Sequence, residues 1–423
     1  MARVGILHQV AVVSQFRRWL PASATADGER LIVSRALRGL ADGAVSVLLP
    51  GYLTAIGFTS TQIGAIVFGT LAGSAALTLW VGLVSHRIGR RRAMLAASAL
   101  MVATGIGFGC LTRFWPMFVV AVIGTLNPSA GDVSLFLPLE QAALAGTVAV
   151  RDLTATFALY NVAGGFAGAI GALLSGLPVA VAARYGLSQR AAMRSGFFAY
   201  SAIGVLVAIV YRSISAAVET DPAAPRTAPL TKSRGVVLRL SALFSLDSFG
   251  GGFVIQSLLA LWLFRRFHFS IETAGAFFFV AGLLGSLSQL VSAWLAARIG
   301  RINTMIYTHL PANAFLVLAA LMPNATLAIV CLLLRAALSS MDIPARQSYV
   351  MAVVPPEERA AAASVTNVPR SLASALAPIP AGVMLDHSLF GWPLVCAGGL
   401  KALYDLLLLI QFRALRLPDE QKG

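Results

Sequence analysis

The sequence predicts an all-α polytopic membrane protein with twelve transmembrane helices arranged as two pseudo-symmetric six-helix bundles. Three observations carry that reading. The 423 residues are 58% hydrophobic and only 12% charged, with a mean hydropathy of +0.80; a soluble domain carries about twice that charged fraction. Apolar runs of about 20 residues, the length that crosses a bilayer as a helix, return after short polar breaks. The stretch "VGLVSHRIGRRRAML", Val81–Leu95, has a partial copy in "AWLAARIGRINTM", whose "RIGR" core falls 211 residues later, half the chain length.

In order, the runs place spans 1 to 12 at 32–54, 61–84, 93–112, 116–141, 154–178, 195–212, 239–263, 272–296, 304–322, 325–349, 360–384 and 393–412. Ahead of them, 1–31 forms a cytoplasmic N-terminal segment. Its Arg3, Arg17, Arg18 and Arg30 flank no compact apolar run with a cleavage site, so span 1 is expected to insert the chain. The six-helix halves are 32–212 and 239–412; the Pro-, Ala- and Thr-rich stretch 213–238 reads as a flexible cytoplasmic linker, and 413–423 as a cytoplasmic tail. "LNPSAGD", Leu126–Asp132, is expected to weaken span 4 near Pro128 and free backbone groups beside Asp132. Gly164, Gly165, Gly168, Gly171 and Gly176 give span 5 small residues for close packing, while Pro369, Pro378 and Pro380 interrupt span 11.

Lysine and arginine stay on the cytoplasmic side of a membrane protein. With the N-terminus inside, that side holds 20 of the 32 Lys and Arg and the opposite side 6, which puts both termini in the cytoplasm of an inner (plasma) membrane. The formal charge of +15 is then a topology signal, and no basic folded face suggests nucleic acid. Cys110, Cys331 and Cys396 lie far apart in apolar segments, and His8, His86, His268, His309 and His387 show no metal-ligand spacing. Neither a metal nor another cofactor is expected. With no phosphate loop and no grouping of nucleophile, base and orienting residue, there are no catalytic residues to name.

The duplication extends further. Phe58 and Gly64 match Phe269 and Gly275, 211 residues on, and "NVAGGFAGAIGALLSG" from Asn161 matches "NVPRSLASALAPIPAG" from Asn367, 206 residues on. Parallel repeats with a substrate site between them are a recurring transporter architecture. The loop "GLVSHRIGRRRAM" resembles the signature between helices 2 and 3 of the major facilitator superfamily: Gly, three residues, Asp, Arg, one residue, Gly, Arg, then Arg or Lys. Gly82, Arg87, Gly89 and Arg90 fit it; His86 stands where the family has Asp. In the family that Asp helps latch the cytoplasmic gate against a helix-11 segment and an Arg. The resemblance implies this role for His86 and Arg370, in a latch that an imidazole weakens or rewires. Charge adds further pairs at the same level: Arg87 and Arg90 with Asp152, and Arg298 and Arg301, flanking Gly300, with Glu357 and Glu358. Such pairs could close in one state and break in another; alternatively, the basic loop is simply held inside against anionic headgroups.

The resemblance also implies that helices 1, 4, 7 and 10 line a central cavity. Each carries an acid: Asp42, then Asp132 and Glu140, then Asp247, then Asp342. An ionisable group at the centre of a span costs about 2.5–3.5 kcal/mol, so these five are candidates for proton coupling, and Arg38, Arg335 and Arg346 are the basic candidates of the cavity. Arg38 and Asp42, Asp342 and Arg346, and Lys401 and Asp405 stand four residues apart, where they can neutralise each other. Asp132 and Asp247 have no such neighbour and are expected to find counter-ions on other helices. Glu140 and Arg346, 206 residues apart, are pseudo-equivalent and could bridge the halves.

The reading is a secondary active transporter that moves a small organic solute by alternating access, driven by the proton gradient and exporting. Its partners would be the solute, protons and the lipid bilayer, and it would act as a monomer. Resemblance to the superfamily's drug:proton antiporters is partial, since span 4 carries acids in place of an Arg motif and no Gly-Pro pair follows Asn161. An importer or uniporter of an organic anion is a second reading, and a non-transporting sensor or partner-binding membrane protein a third.

Overall fold

The computed structural model describes residues 21, 23–129, 134–149, 152–215, 218–219, 230–355 and 358–412. Asp132 and Glu357 lie outside the described residues, as do the tail, most of the linker and the side chains of residues 82–87, which include Gly82, His86 and Arg87.

Twelve helical passes follow one another. Span 1 is α1 (Ala26–Ala55), span 2 α2 (Ser60–Ile88) and span 3 α3 (Arg90–Cys110); span 4 is broken into α4 (Phe114–Ile123) and α5 (Phe136–Ala145). Span 5 is α6 (Leu153–Leu174) with α7 (Leu177–Arg184), span 6 α8 (Gln189–Arg212), and span 7 α9 (Arg234–Gly252) with α10 (Gln256–Phe267). Span 8 is α11 (Ile271–Ile299), span 9 α12 (Arg301–Leu321) and span 10 α13 (Ala325–Ser339) with α14 (Asp342–Val353). Span 11 is α15 (Arg359–Leu376) with α16 (Pro378–His387), and span 12 is α17 (Trp392–Phe412). Ten of these passes are long and apolar enough to cross a bilayer on length and composition alone. Trp115 is 72% and Ile410 77% exposed, an apolar outer surface that suits lipid and not water.

The helix breaks have local causes. The expected break near Pro128 is present, and the Pro128 carbonyl accepts from the Ser257 amide (3.2 Å) and hydroxyl (3.0 Å) at the start of α10. The break in span 10 was not expected. Pro344, in the first turn of α14, lacks the N–H that would bond the Ser340 carbonyl, and the Met341 carbonyl next to it accepts from Ser292 (2.5 Å). The two "RIGR" glycines make the same turn: Gly89 has φ +89° and Gly300 φ +84°, a conformation that side-chain-bearing residues rarely adopt.

Packing repeats the duplication. Within one half α1 packs on α6 and α3 on α8; within the other α9 packs on α15 and α12 on α17. Across the halves α2 meets α16, and α6 meets α11, its pseudo-equivalent contact. Span 5 packs on span 1 backbone to backbone, because a Cβ on Gly39 or Gly43 would run into the carbonyl of Gly164 or Gly168. Call the end where α1, α3, α6, α9, α12 and α15 begin the near end. Toward the far end one apolar core runs through both halves, including Leu49 of α1, Leu259 of α10 and Phe277 of α11. At the near end the second half keeps a core of its own, with Val237, Phe244, Ile302, Tyr349, Tyr404 and Phe412. The halves are therefore joined at the far end and separately packed at the near end.

Candidate functional site

Charged side chains enter the bundle in two clusters, one per half. In the first, Glu140 of α5 is wholly buried and accepts four hydrogen bonds: from Arg38 Nη2, from the Tyr160 hydroxyl, from the Tyr211 hydroxyl (2.5 Å) and from the Ser34 hydroxyl (2.5 Å). Arg38 also donates to Ser134 Oγ (3.2 Å) and lies over the Phe136 ring, 4.4 Å from its centroid. Four converging donors are the surroundings of an ionised carboxylate. Two expectations are corrected here. Arg38 turns to Glu140 and not to Asp42, since span 4 brings a carboxylate with three further donors around it. Glu140 in turn is used up within its own half and does not reach Arg346. Asp42 is buried beside Asn127.

In the second cluster Asp247 of α9 receives Lys401 Nζ (2.6 Å) from α17 and Arg346 Nη1 (3.4 Å) from α14; His309 Nε2 of α12 stands 3.7 Å away. Arg346 also binds Asp342 (3.0 Å), the expected pair four residues apart. His309 Nδ1 contacts Asp405 (3.0 Å), which accepts from Asn313 Nδ2 as well (2.9 Å). His309 therefore sits between two buried carboxylates on two other helices. Asp247 does find its counter-ions on other helices, as expected. Lys401 and Asp405, however, do not neutralise each other: each faces a different helix, because the α12 imidazole and amide claim Asp405 while Asp247 claims the ammonium. Arg335 of α13 is half-buried near this cluster, with no hydrogen bond among the described residues.

Two groups were missed by sequence reasoning. Arg35 lies one turn before Arg38 on the same buried face, and the signal, a charge within span 1, was present. His309 was weighed only as a metal ligand; its place in the middle of an apolar span was the signal that it serves a buried polar network.

At the near end some of the described charges meet partners other than those expected, while the expected pairs that include Arg87 or Glu357 lie outside the described residues. Glu219 of the linker accepts from the Arg90 (2.6 Å) and Arg91 (3.3 Å) amides at the start of α3, and Arg90 Nη1 reaches the Val218 carbonyl (3.3 Å), so Arg90 is engaged by the linker and not by Asp152. Asp152 accepts from Ser23 Oγ (2.5 Å). Glu358 is not met by Arg298 or Arg301. It accepts from Ser233 Oγ, the Lys232 amide (2.9 Å), the Thr231 hydroxyl (2.7 Å) and the Thr231 and Ser233 amides (3.0 and 3.1 Å). These bonds, that from the Ser233 hydroxyl first, hold its carboxyl well below the usual carboxylate range. Asp152 and Glu358, 206 residues apart, thus play one part in the two halves, each tying the start of span 5 or 11 to the serine ahead of span 1 or 7. Arg298 lies over the Trp294 ring, 4.2 Å from its centroid, and Arg370 donates to Ser248 (3.0 Å).

The far end carries a bond set between the halves that sequence reasoning did not foresee. Asp386 of α16 accepts from the Ser60 and Thr61 amides (2.8 Å each) and the Thr61 hydroxyl (2.7 Å) at the N-terminus of α2, and Arg265 of α10 bridges Asp386 (3.0 Å) and the Ser60 hydroxyl.

Comparison with known proteins agrees with this architecture. The family model of the Major Facilitator Superfamily matches residues 31–416. The uncharacterized membrane protein YJR124C of Saccharomyces cerevisiae is 24% identical over 328 residues, 70% of this chain and 73% of that one. Among solved structures, a D-xylose-proton symporter superposes with a TM-score of 0.70 at 15% identity, covering 93% of this chain and 99% of the other. The nucleoside transporter NupG does so with 0.68 at 14%, covering 92% and 100%. The human organic anion transporter MFSD10 gives 0.64 at 18%, covering 91% and 100%. At these identities the solved structures establish a shared fold, and the family match covers nearly the whole chain. This multi-pass membrane protein belongs to the Major Facilitator Superfamily and is a membrane transporter of small molecules.

Proposed function

We propose that the chain is a proton-coupled secondary transporter that exports a small organic solute across the inner (plasma) membrane by alternating access, with both termini in the cytoplasm. The Asp247 cluster carries this reading. A buried carboxylate held by Lys401, Arg346 and His309 from three other helices gains or loses a proton as those helices shift, because partner and proton compete for the same oxygens. His309 links this carboxylate to Asp405 and gives the proton a path between them. Taking the near end as cytoplasmic, the halves are joined outside and part inside, so the solute enters from the cytoplasm. The ion-paired Asp247 is the deprotonated form, the form in which an inward-facing antiporter has delivered its proton and takes up its solute. Asp132 is a second proton-carrying candidate, and His86, Arg87 and Arg370 are candidates for the gate that closes the near end in the opposite state. The proton gradient is the energy source, no resident cofactor or catalysis is involved, and the chain works as a monomer.

Accumulation of a diverse compound panel in efflux-deficient cells tests this, with wild type, Asp247→Asn, His309→Asn and Asp132→Asn compared with and without a protonophore. Lower accumulation of some compound by wild type, abolished by the protonophore and by Asp247→Asn, is the expected result. Higher accumulation by wild type would replace export by import, and an Asp247→Asn variant as active as wild type would make Asp247 structural.

A further inference from the structure

The charge of the solute can be read from the cations that the bundle leaves unmatched. Arg38 is neutralised by Glu140. Arg35, one turn away, is not: its side chain is 7% exposed, and neither Nε nor Nη1 has a hydrogen-bond partner. Its guanidinium lies 5.5 Å from the centroid of the Tyr160 ring, but the Tyr160 hydroxyl is already given to Glu140. Glu140 is saturated by its four donors. Of the carboxylates on α1, Asp27 is held by Arg30 and the Ser215 hydroxyl, and Asp42, seven residues beyond Arg35 or about 10 Å of helix axis, acts on it across space without a hydrogen bond.

Span 5 makes room for this cation. A Cβ on Gly164 would stand 2.8 Å from Arg35 Cζ and closer still to Nε, so only a glycine there leaves the guanidinium its place. A nearby donor is also idle: Arg38 Nε is buried without a partner. The surplus around span 1 is one of donors. In the other half Asp247, Asp342 and Asp405 are all engaged, and Arg335 feels Asp247 across space but makes no hydrogen bond among the described residues. A buried cation lacking its counter-ion is retained where it pairs with something that comes and goes.

We infer that the transported solute is an organic anion whose carboxylate, or an equivalent planar oxyanion, is received by Arg35 between spans 1 and 5. The planar guanidinium matches a carboxylate as a fork, which an ammonium does not. Arg35 sits nine residues into α1, about 13 Å from the near end, where the two halves keep separate cores and a solute can enter. The inference rests on the transporter reading and names its substrate class. It also corrects which arginines serve an anion: Arg38 and Arg346 are spent on ion pairs, and Arg35 is free for it.

The test uses the purified full-length protein at constant ionic strength, with matched probes: benzoate, salicylate and succinate against benzamide, salicylamide and succinamide. Thermal midpoints are measured for wild type, Arg35→Gln and Arg35→Lys, and uptake of the same labelled probes is followed in proteoliposomes under a proton gradient. At least one carboxylate should raise the wild-type midpoint where its amide does not, with the half-saturating concentration at least tenfold higher in Arg35→Gln and intermediate in Arg35→Lys. Because Arg35→Gln removes an unmatched buried charge, its unliganded midpoint should equal or exceed that of wild type, which keeps folding separate from binding. Equal responses to acids and amides, or a carboxylate response unchanged in Arg35→Gln, overturn the inference. If neutral or cationic solutes move with protons while anions are ignored, the anion site fails and the transporter reading stands. If carboxylates bind through Arg35 but no probe moves with protons, the anion site stands and proton-coupled transport fails.

Discussion

Arg38 on span 1 donates to Glu140 on span 4, and this pair is the charge-reversed image of Asp247 on span 7 with Arg346 on span 10. Glu140 and Arg346 are 206 residues apart, and Arg38 and Asp247 209 apart, close to the offsets of the repeat itself. Each half thus ties its first helix to its fourth by one buried ion pair of opposite sense. Neither pair crosses the interface between the halves.

Removing one member of such a pair leaves a buried charge unmatched, which costs about 3–5 kcal/mol. Glu140→Gln should therefore lower the unfolding midpoint in detergent steeply. The double substitution Arg38→Met with Glu140→Leu should recover most of the loss, because it removes both charges while keeping volume. A Glu140→Gln protein as stable as wild type would mean that the four converging donors do not hold an ionised carboxylate.

The asymmetry between what could and could not be read beforehand has a physical basis. Helix boundaries were legible because bilayer thickness and apolar run length are coupled. The close contact of spans 1 and 5 was legible in part because Gly164 and Gly168 recur on one helix face. Partner choice was not. Arg38 has Asp42 four residues away on its own helix, yet Glu140, 102 residues away, takes it, since ion pairing between helices depends on how spans face one another. The same holds for Lys401, claimed by Asp247 over its neighbour Asp405. Spacing along one helix lists the pairs that are possible; packing among four helices selects the ones that form.

Asp386 holds the far end shut by capping the N-terminus of α2 across the interface, where backbone N–H groups and the helix dipole favour a negative charge. Charge-assisted bonds of this kind contribute about 1.5–3 kcal/mol. Asp386→Ala should shift the population toward the far-open state roughly tenfold or more. The measurement is the labelling rate of Ser257→Cys, a fully buried position between the halves, by a membrane-impermeant thiol reagent from the far side, with Cys110, Cys331 and Cys396 replaced. A labelling rate no faster than that of the parent would remove Asp386 from the gate.

The Glu358 contact sets a pH dependence at the near end. Its carboxyl titrates below the ordinary value of 4.5 in the folded protein, held down first by the Ser233 hydroxyl. A depressed folded value means that stabilisation is fully present above the unfolded value and is lost as pH falls through the folded one. Protection of the Thr231–Ser233 amides should therefore hold from neutral pH down to about pH 5 and fall away in stronger acid. Glu358→Gln should lose it already at pH 7. Hydrogen exchange corrected for intrinsic rate reads both; equal protection in Glu358→Gln at pH 7 would show the carboxylate is not what orders this segment.

The glycines of the two "RIGR" turns give the last prediction, one in which the same substitution has opposite signs at two places. Gly89 and Gly300 combine positive φ with extended ψ (140° and 158°), a region essentially reserved for glycine, where a side-chain-bearing residue costs about 1–3 kcal/mol. Gly399 lies inside α17 with an ordinary φ and nothing within 4 Å of a Cβ placed there, and glycine in a helix interior is less favourable than alanine by roughly 0.5–1 kcal/mol. Gly89→Ala and Gly300→Ala should each lower the unfolding midpoint, while Gly399→Ala should raise it or leave it unchanged. Because Gly89 precedes the amides that Glu219 accepts, Gly89→Ala should also loosen the linker there, detectable as faster exchange of the Arg90 and Arg91 amides. Gly300→Ala, without that contact, should leave those amides protected. If all three substitutions moved the midpoint the same way, backbone conformation would not be the reason these glycines stand in the turns, and the motif would have to be explained by its side chains alone.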